Sequence, residues 1–169
     1  MQQETYILGE TDRQVQFDGR LENRQIAAEL IRQAHQQICI FTPDLEKHIY
    51  DDADIIRAVE QLVIRSRQTQ VRVLIRDAEQ AVKSGHRLIE LHRRHTSSIH
   101  IHQIPEDTDN IQAAYLIVDN AGYLYKHMGD LFTGYFNAND KLKVRELSKH
   151  FDGAWERSRP DTETRRLFI

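Results

Sequence analysis

Apolar residues follow two different spacings along this chain. Ile26, Leu30, Ile31 and Ala34 recur at helical intervals, which predicts an amphipathic helix over Leu21–Gln37 after a short strand at Val15–Asp18. The run ICIFT (38–42) is apolar at successive positions, the pattern of a strand covered on both faces of a sheet. Ile55, Val59, Leu62, Val63 and Ser66 form a second helical stripe with Asp54 as its expected cap, and VRVLI (71–75) comes next, dense in β-branched residues. A third helix is expected from Ser84 to about His95, then a strand over Ile99–Ile104. Helix alternating with strand three times predicts an α/β fold with parallel pairings.

The later half has another rhythm. AYLIVD (114–119), a turn at NAG (120–122) and YLYKH (123–127) predict a hairpin, and FTGYFN (132–137) a further strand. A last helix from about Asp140 carries Val144, Leu147, Phe151, Ala154 and Trp155 on one face, and Pro160 is placed to stop regular structure soon after it.

Composition limits the setting. The 169 residues read as one domain spanning 1–169, with 1–14 and 160–169 as peripheral tails, and a chain of this size buries roughly 70% of its unfolded surface. One cysteine, Cys39, excludes an intramolecular disulfide and any zinc site needing two thiolates from one chain. No run reaches the ~18–20 apolar residues of a membrane span, and MQQETYILGETDRQ lacks a signal-peptide pattern, so a cytoplasmic protein is expected. A net charge of −3 argues against non-specific coating of nucleic acid. Protonation of all nine His near pH 6 would carry that charge towards +6.

Candidate chemistry concentrates in GHRLIELHRRHTSSIHIH (85–102), which holds five His and three Arg against one Glu. His92 and His95 continue an apolar helical stripe, while His100 and His102 share one strand face opposite Ile99 and Ile101. Three readings compete: imidazoles bordering the core and bonded to backbone, an anion patch built on Arg87, Arg93 and Arg94, and a metal site. Cys39, inside an apolar strand, reads as a buried hydrophobe with a raised pKa. The acidic segments DLEKHIYDDAD and EDTD (106–109) read as solvated loops that cap helices, and Trp155 reads as core. Gly-rich phosphate loops and a G-x-S-x-G elbow are absent, and no cofactor is implied.

The helix before ICIFTPDL, the strand VRVLI with the segment after it, and the hairpin AYLIVDNAGYLY resemble half of a phospholipase D superfamily domain. TPDL, LHRRHTSSI and the closing FDGAWERSRP resemble a bacterial family of degenerate members of unassigned function. Some members of that family follow an acetyltransferase domain, although nothing in this sequence resembles an acetyl-CoA element. The resemblance implies an α/β half-domain whose mixed central sheet has helices on both faces. It also aligns the superfamily's H-x-K-x4-D motif so that it ends at Asp119, where this sequence reads Gln112, Ala114, Asp119. In active members the His is the nucleophile and the Lys holds phosphate. Glutamine and alanine supply neither role, and the usual G-S-x-N is not found in KHMGDLFTGYFN.

No catalytic residue is therefore assigned. The expected function is non-catalytic binding of a phosphate-bearing ligand, RNA or another protein, by a homodimer that restores the two-half arrangement. The candidate ligand-binding residues are Asp119, Tyr125, Lys126, His127, Arg94 and His102. The alternatives are a diverged phosphodiesterase or nuclease using His102 or His127, and a regulatory protein-interaction module.

Overall fold

Hydrogen bonding of the two kinds of strand segment produces a single eight-stranded mixed sheet, seen in a computed structural model that describes residues 4–108 and 112–165. In chain order the elements are β1 (Val15–Asp18), α1 (Arg20–Arg32), β2 (Gln37–Thr42), α2 (Lys47–Tyr50), α3 (Ala53–Arg65), β3 (Gln70–Ile75), α4 (Glu79–Lys83), α5 (Arg87–Arg94) and β4 (Ile99–Gln103). After these come β5 (Ala114–Val118), β6 (Gly122–Lys126), β7 (Thr133–Asn137), α6 (Lys141–Arg157), β8 (Arg159–Pro160) and α7 (Thr162–Arg165). The sheet order is β1-β7-β6-β5-β2-β3-β4-β8. β2, β3 and β4 are parallel, as helix-linked strands require, and β5 lies antiparallel to β2.

The double apolar face of ICIFT has its explanation here. Ile38 and Ile40 join the core under α1, α3 and α5, while Cys39 and Phe41 join a second core under α6. Each helix buries the expected stripe: Ile55, Val59, Leu62 and Val63 on α3, and Val144, Leu147, Phe151 and Ala154 on α6. Burial pushes the Cys39 thiol up to about 11, which keeps it protonated and inert.

Three boundaries differ from the sequence reading. α1 ends at Arg32 rather than Gln37, because residues 35–37 turn into β2 and bond to Asp119. The cap of α3 is Asp52, whose carboxylate accepts from the amides of Asp54 and Ile55. Ser84 closes the short α4, Gly85 breaks the chain at φ 68°, and His86 caps α5 by accepting from the Leu88 amide at 3.1 Å. Residues 159–165 also join the body of the fold. β8 pairs with β4, and Asp161 and Thr164 are buried.

Candidate ligand-binding site

The motif positions lie at one end of the sheet, where the parallel strands finish and β5 begins. Lys126 on β6 stands directly across from Ala114, and Phe41 beside Tyr115 brings the end of β2 alongside. The loop after β6 folds back over this point: the Gly129 amide donates to the Gln112 carbonyl at 2.8 Å. A Cβ on Gly129 would stand 2.9 Å from Pro43 Cγ and 3.3 Å from the Ala114 Cβ. Ala114 is buried, so the space a lysine would occupy at this position is filled by chain.

Lys126 does not present a free cation at this end of the sheet. Its ammonium is 1% exposed, ion-paired with Glu46 (3% exposed), and donates to the Gly129 carbonyl at 3.3 Å. Thr42 Oγ1 also donates to Glu46, at 2.9 Å. Burial pushes the Glu46 carboxyl up, and Lys126 and Thr42 pull it back down.

Glu46 reaches this position through a strained turn, with Leu45 at φ 71° and Glu46 at φ 34° in the left-handed region. The turn is held by the Leu45 amide donating to Thr42 Oγ1 at 3.0 Å, the Glu46 amide to Asp44 at 2.9 Å, and the His86 ring to the Leu45 carbonyl at 3.1 Å. The sequence predicts a solvated loop for this acidic segment. Asp52 does cap a helix, but Glu46 is a buried structural ion.

Beside this pair, Arg20, Lys47 and His48 face Asp44, Glu46 and Asp130 around a cavity of about 450 Å³. Its lining carboxylates outnumber its guanidinium and ammonium groups three to two. The His48 ring meets Phe132 edge-on at 4.8 Å, and its Nε2 is buried without a hydrogen-bond partner. Burial, with Lys126 and Arg20 nearby, pushes the His48 imidazole down to about 4.

The six residues expected to form one site divide among several places. Asp119 lies at the other end of β5, where its carboxylate accepts from the amides of His35, Gln36 and Gln37 at 2.6, 2.8 and 2.9 Å. Tyr125 and His127 meet edge-on at 5.1 Å next to Tyr135, with the Lys143 ammonium 5.0 Å from the Tyr125 ring centre. His127 and Lys143 line a groove of about 810 Å³, but Asp18, Glu22 and Asp140 line it too, which disfavours an anion. Arg94 is exposed and turned towards Glu60 at 3.5 Å. Arg87 likewise faces Asp51 at 3.6 Å.

His102 lies on the opposite edge of the sheet, stacked on Trp155 with ring centres 3.8 Å apart and Nδ1 2.7 Å from Ser158 Oγ. Trp155 is thus half-buried against a histidine as well as packed on Phe151. His92 and His100 open onto the same pocket as His102, of about 400 Å³, and His95 does not. Among the described residues, no three His, Cys, Asp or Glu are grouped closely enough to hold a metal ion.

Burial is the leading cause that lowers His48, His86, His92 and His102, which favours their neutral form. Their unfolded pKa is about 6.5 and their folded pKa lies lower, so the unfolded chain binds more protons below that value. The stability they contribute is complete above about pH 6.5 and is lost as pH falls through their lowered folded values, which for His48 is about 4. Urea midpoints at several pH values should show this decline, and His48→Asn should make it shallower; a midpoint that is flat from pH 7 to pH 5 would contradict the burial of these rings.

Sequence reasoning misses Glu46, His48, Lys143 and Arg165. Glu46 has one available signal, its place soon after the strand-ending Thr-Pro turn. The others owe their positions to elements distant in the chain.

Solved structures with this fold place the geometry in context. The chain aligns with TrmBL2, an archaeal chromatin protein whose structure is described as showing a novel mode of DNA binding (TM-score 0.65, 15% identity). That match covers 89% of this chain and 54% of TrmBL2, so the chain spans about half of that protein's length. Nuc from Salmonella typhimurium, a phospholipase D family member, aligns at TM-score 0.57 and 15% identity over 88% of this chain and 99% of Nuc. NucT from Helicobacter pylori aligns at TM-score 0.61 and 9% identity, again over 88% and 99%. The protein class is therefore an α/β domain with the phospholipase D fold. Residues 20–167 match the family described as a domain of unknown function, DUF7931, and the chain belongs to that family. No curated protein matches it. Among the described residues, no helix is long and apolar enough to cross a membrane.

Proposed function

We propose that this domain binds a phosphate-bearing ligand without hydrolysing it. The observation that carries this reading is the motif end of the sheet: Gln112 and Ala114 occupy the nucleophile and phosphate-holding positions, and the nearby Lys126 is already neutralised by Glu46. A covalent phospho-intermediate needs a nucleophile and a cation for the developing charge, and this arrangement presents neither. DNA binding by TrmBL2 is compatible with a phospholipase D fold serving recognition. We further propose that two copies associate at the motif end, where Met128 and Leu131 are exposed apolar side chains.

The test is a panel of bis-p-nitrophenyl phosphate, a fluorogenic phospholipid and labelled single- and double-stranded oligonucleotides. No turnover is expected, together with salt-sensitive retention of at least one phosphate-bearing probe. Turnover abolished by His127→Ala would overturn the non-catalytic reading. Light scattering that gives a monomer at high concentration would overturn the dimer.

A further inference from the structure

The pocket on the β4 edge differs from the other cavities in the sign of its walls. His92 and Arg93 of α5, Thr96, His100 and His102 of β4, and Arg165 of α7 line it, and among the described residues no Asp or Glu does. Two carboxylates on neighbouring elements are engaged elsewhere. Asp161, buried beside α7, accepts from the Thr164 amide at 3.0 Å, and Asp152 of α6 is paired at 3.0 Å with Arg72, which stands beside His100 in the sheet register.

The hydrogen bonds of the three imidazoles determine which ring nitrogen each leaves available. His92 Nδ1 lies 2.6 Å from the Ile99 carbonyl, an acceptor only, so this nitrogen carries the proton. His100 Nε2 is likewise protonated against the Ser97 carbonyl at 3.2 Å. Ser158 Oγ donates its one hydrogen to the Trp155 carbonyl at 2.6 Å, so it accepts from His102 Nδ1. Each neutral ring thus keeps one bare lone pair: Nε2 on His92 and His102, and Nδ1 on His100. Protonation turns each lone pair into a donor.

Arg93 is held in place by donating from Nε to the Thr164 carbonyl at 2.9 Å, and Trp155 fixes the His102 plane. The positive groups repel one another: His100 and Arg165 both act to lower His92 and His102, with burial the larger cause. An anion is the ligand that relieves this repulsion. About 400 Å³ sits at the small end of the range for ligand pockets.

We propose that this pocket is an oxyanion site that takes the phosphate of a phosphomonoester or inorganic phosphate, with the imidazoles gaining protons as the anion enters. Guanidinium forks and imidazolium N–H groups match the three terminal oxygens of such a group, whereas a diester offers two. This inference rests on the phosphate-binding reading and places its site at the β4 edge of the sheet.

Long-range ¹H–¹⁵N spectra of the intact chain resolve the three rings. Inorganic phosphate and phenyl phosphate, titrated separately, distinguish the free ion from the ester, and diphenyl phosphate serves as the diester. The result expected is movement of the His92, His100 and His102 ring signals with either or both of the first two, and little with the diester. Sulfate, whose charge is constant across the range, should bind roughly three- to sixfold more tightly at about pH 6 than at about pH 8, the effect of one imidazole shifted by one unit.

Arg165→Met with His102→Gln should remove the response, with circular dichroism confirming the fold. Ring signals that stay still at ~50 mM phosphate, or movement at His48 and His127 instead, would overturn the site. Ring signals that stay still with phosphate and phenyl phosphate while an oligonucleotide is retained would overturn the site but leave the binding reading standing. Failure of every probe would overturn both.

Discussion

Lys126→Met should destabilise the fold by about 3–5 kcal/mol, the usual cost of leaving one partner of a buried ion pair without its counter-charge. Methionine reproduces much of the lysine stem, so packing changes little, but Glu46 keeps a carboxylate at 3% exposure with only Thr42 as a polar partner. Against a domain stability of roughly 5–15 kcal/mol this is a large share, and the urea midpoint should fall with an unchanged slope. Lys126→Met combined with Glu46→Leu should recover most of the loss, because it removes both charges and leaves only two neutral groups, the Thr42 hydroxyl and the Gly129 carbonyl, to find new partners. A single variant within about 1 kcal/mol of the parent would show that the pair is solvated rather than sealed. It would also return Lys126 to consideration as a ligand group.

Asp119→Ala is the second large effect, on the order of 2–4 kcal/mol, since hydrogen bonds to a charged group contribute about 1.5–3 kcal/mol each and do not add fully. Three amides, of His35, Gln36 and Gln37, lose a common acceptor. Alanine also tolerates the φ of 57° at this turn less well than aspartate does. Asp119→Asn should cost less, as it keeps an amide oxygen and the left-handed preference. Hydrogen exchange read at residues 35–37 should accelerate in the alanine variant. Phosphate affinity per folded molecule should not change; a loss of affinity without a loss of stability would make Asp119 a ligand residue.

Strands and long helices were legible from local pattern because a two-residue or 3.6-residue repeat is written into neighbouring positions. ICIFT announced a strand buried on both sides, and β2 contributes to both cores. The caps were less legible. Asp52 and Asp54 both suit a helix start, and only the turn geometry selects Asp52; at α5, His86 performs a role usually assigned to Ser, Thr, Asp or Asn. Short α2, α4, β8 and α7 have no repeat long enough to read.

The site was less legible than the fold. The His-rich segment pointed to the β4 edge, but Arg165, which closes that pocket, lies more than sixty positions further along the chain. The acidic segment looked solvated because the partner that allows Glu46 to be buried, Lys126, is 80 positions away.

By itself the sequence determined the α/β class and the identity of strands β1 to β7, since these depend on residue type and short spacing alone. Only the tertiary structure decided which charges are free to meet a ligand. Sheet pairing seals Lys126 against Glu46, commits Asp119 to three amides, and gathers His92, His100, His102 and Arg165 at one edge. The reason is that a charged group's availability depends on burial and on partners distant in the chain, and neither is encoded in the spacing of its neighbours.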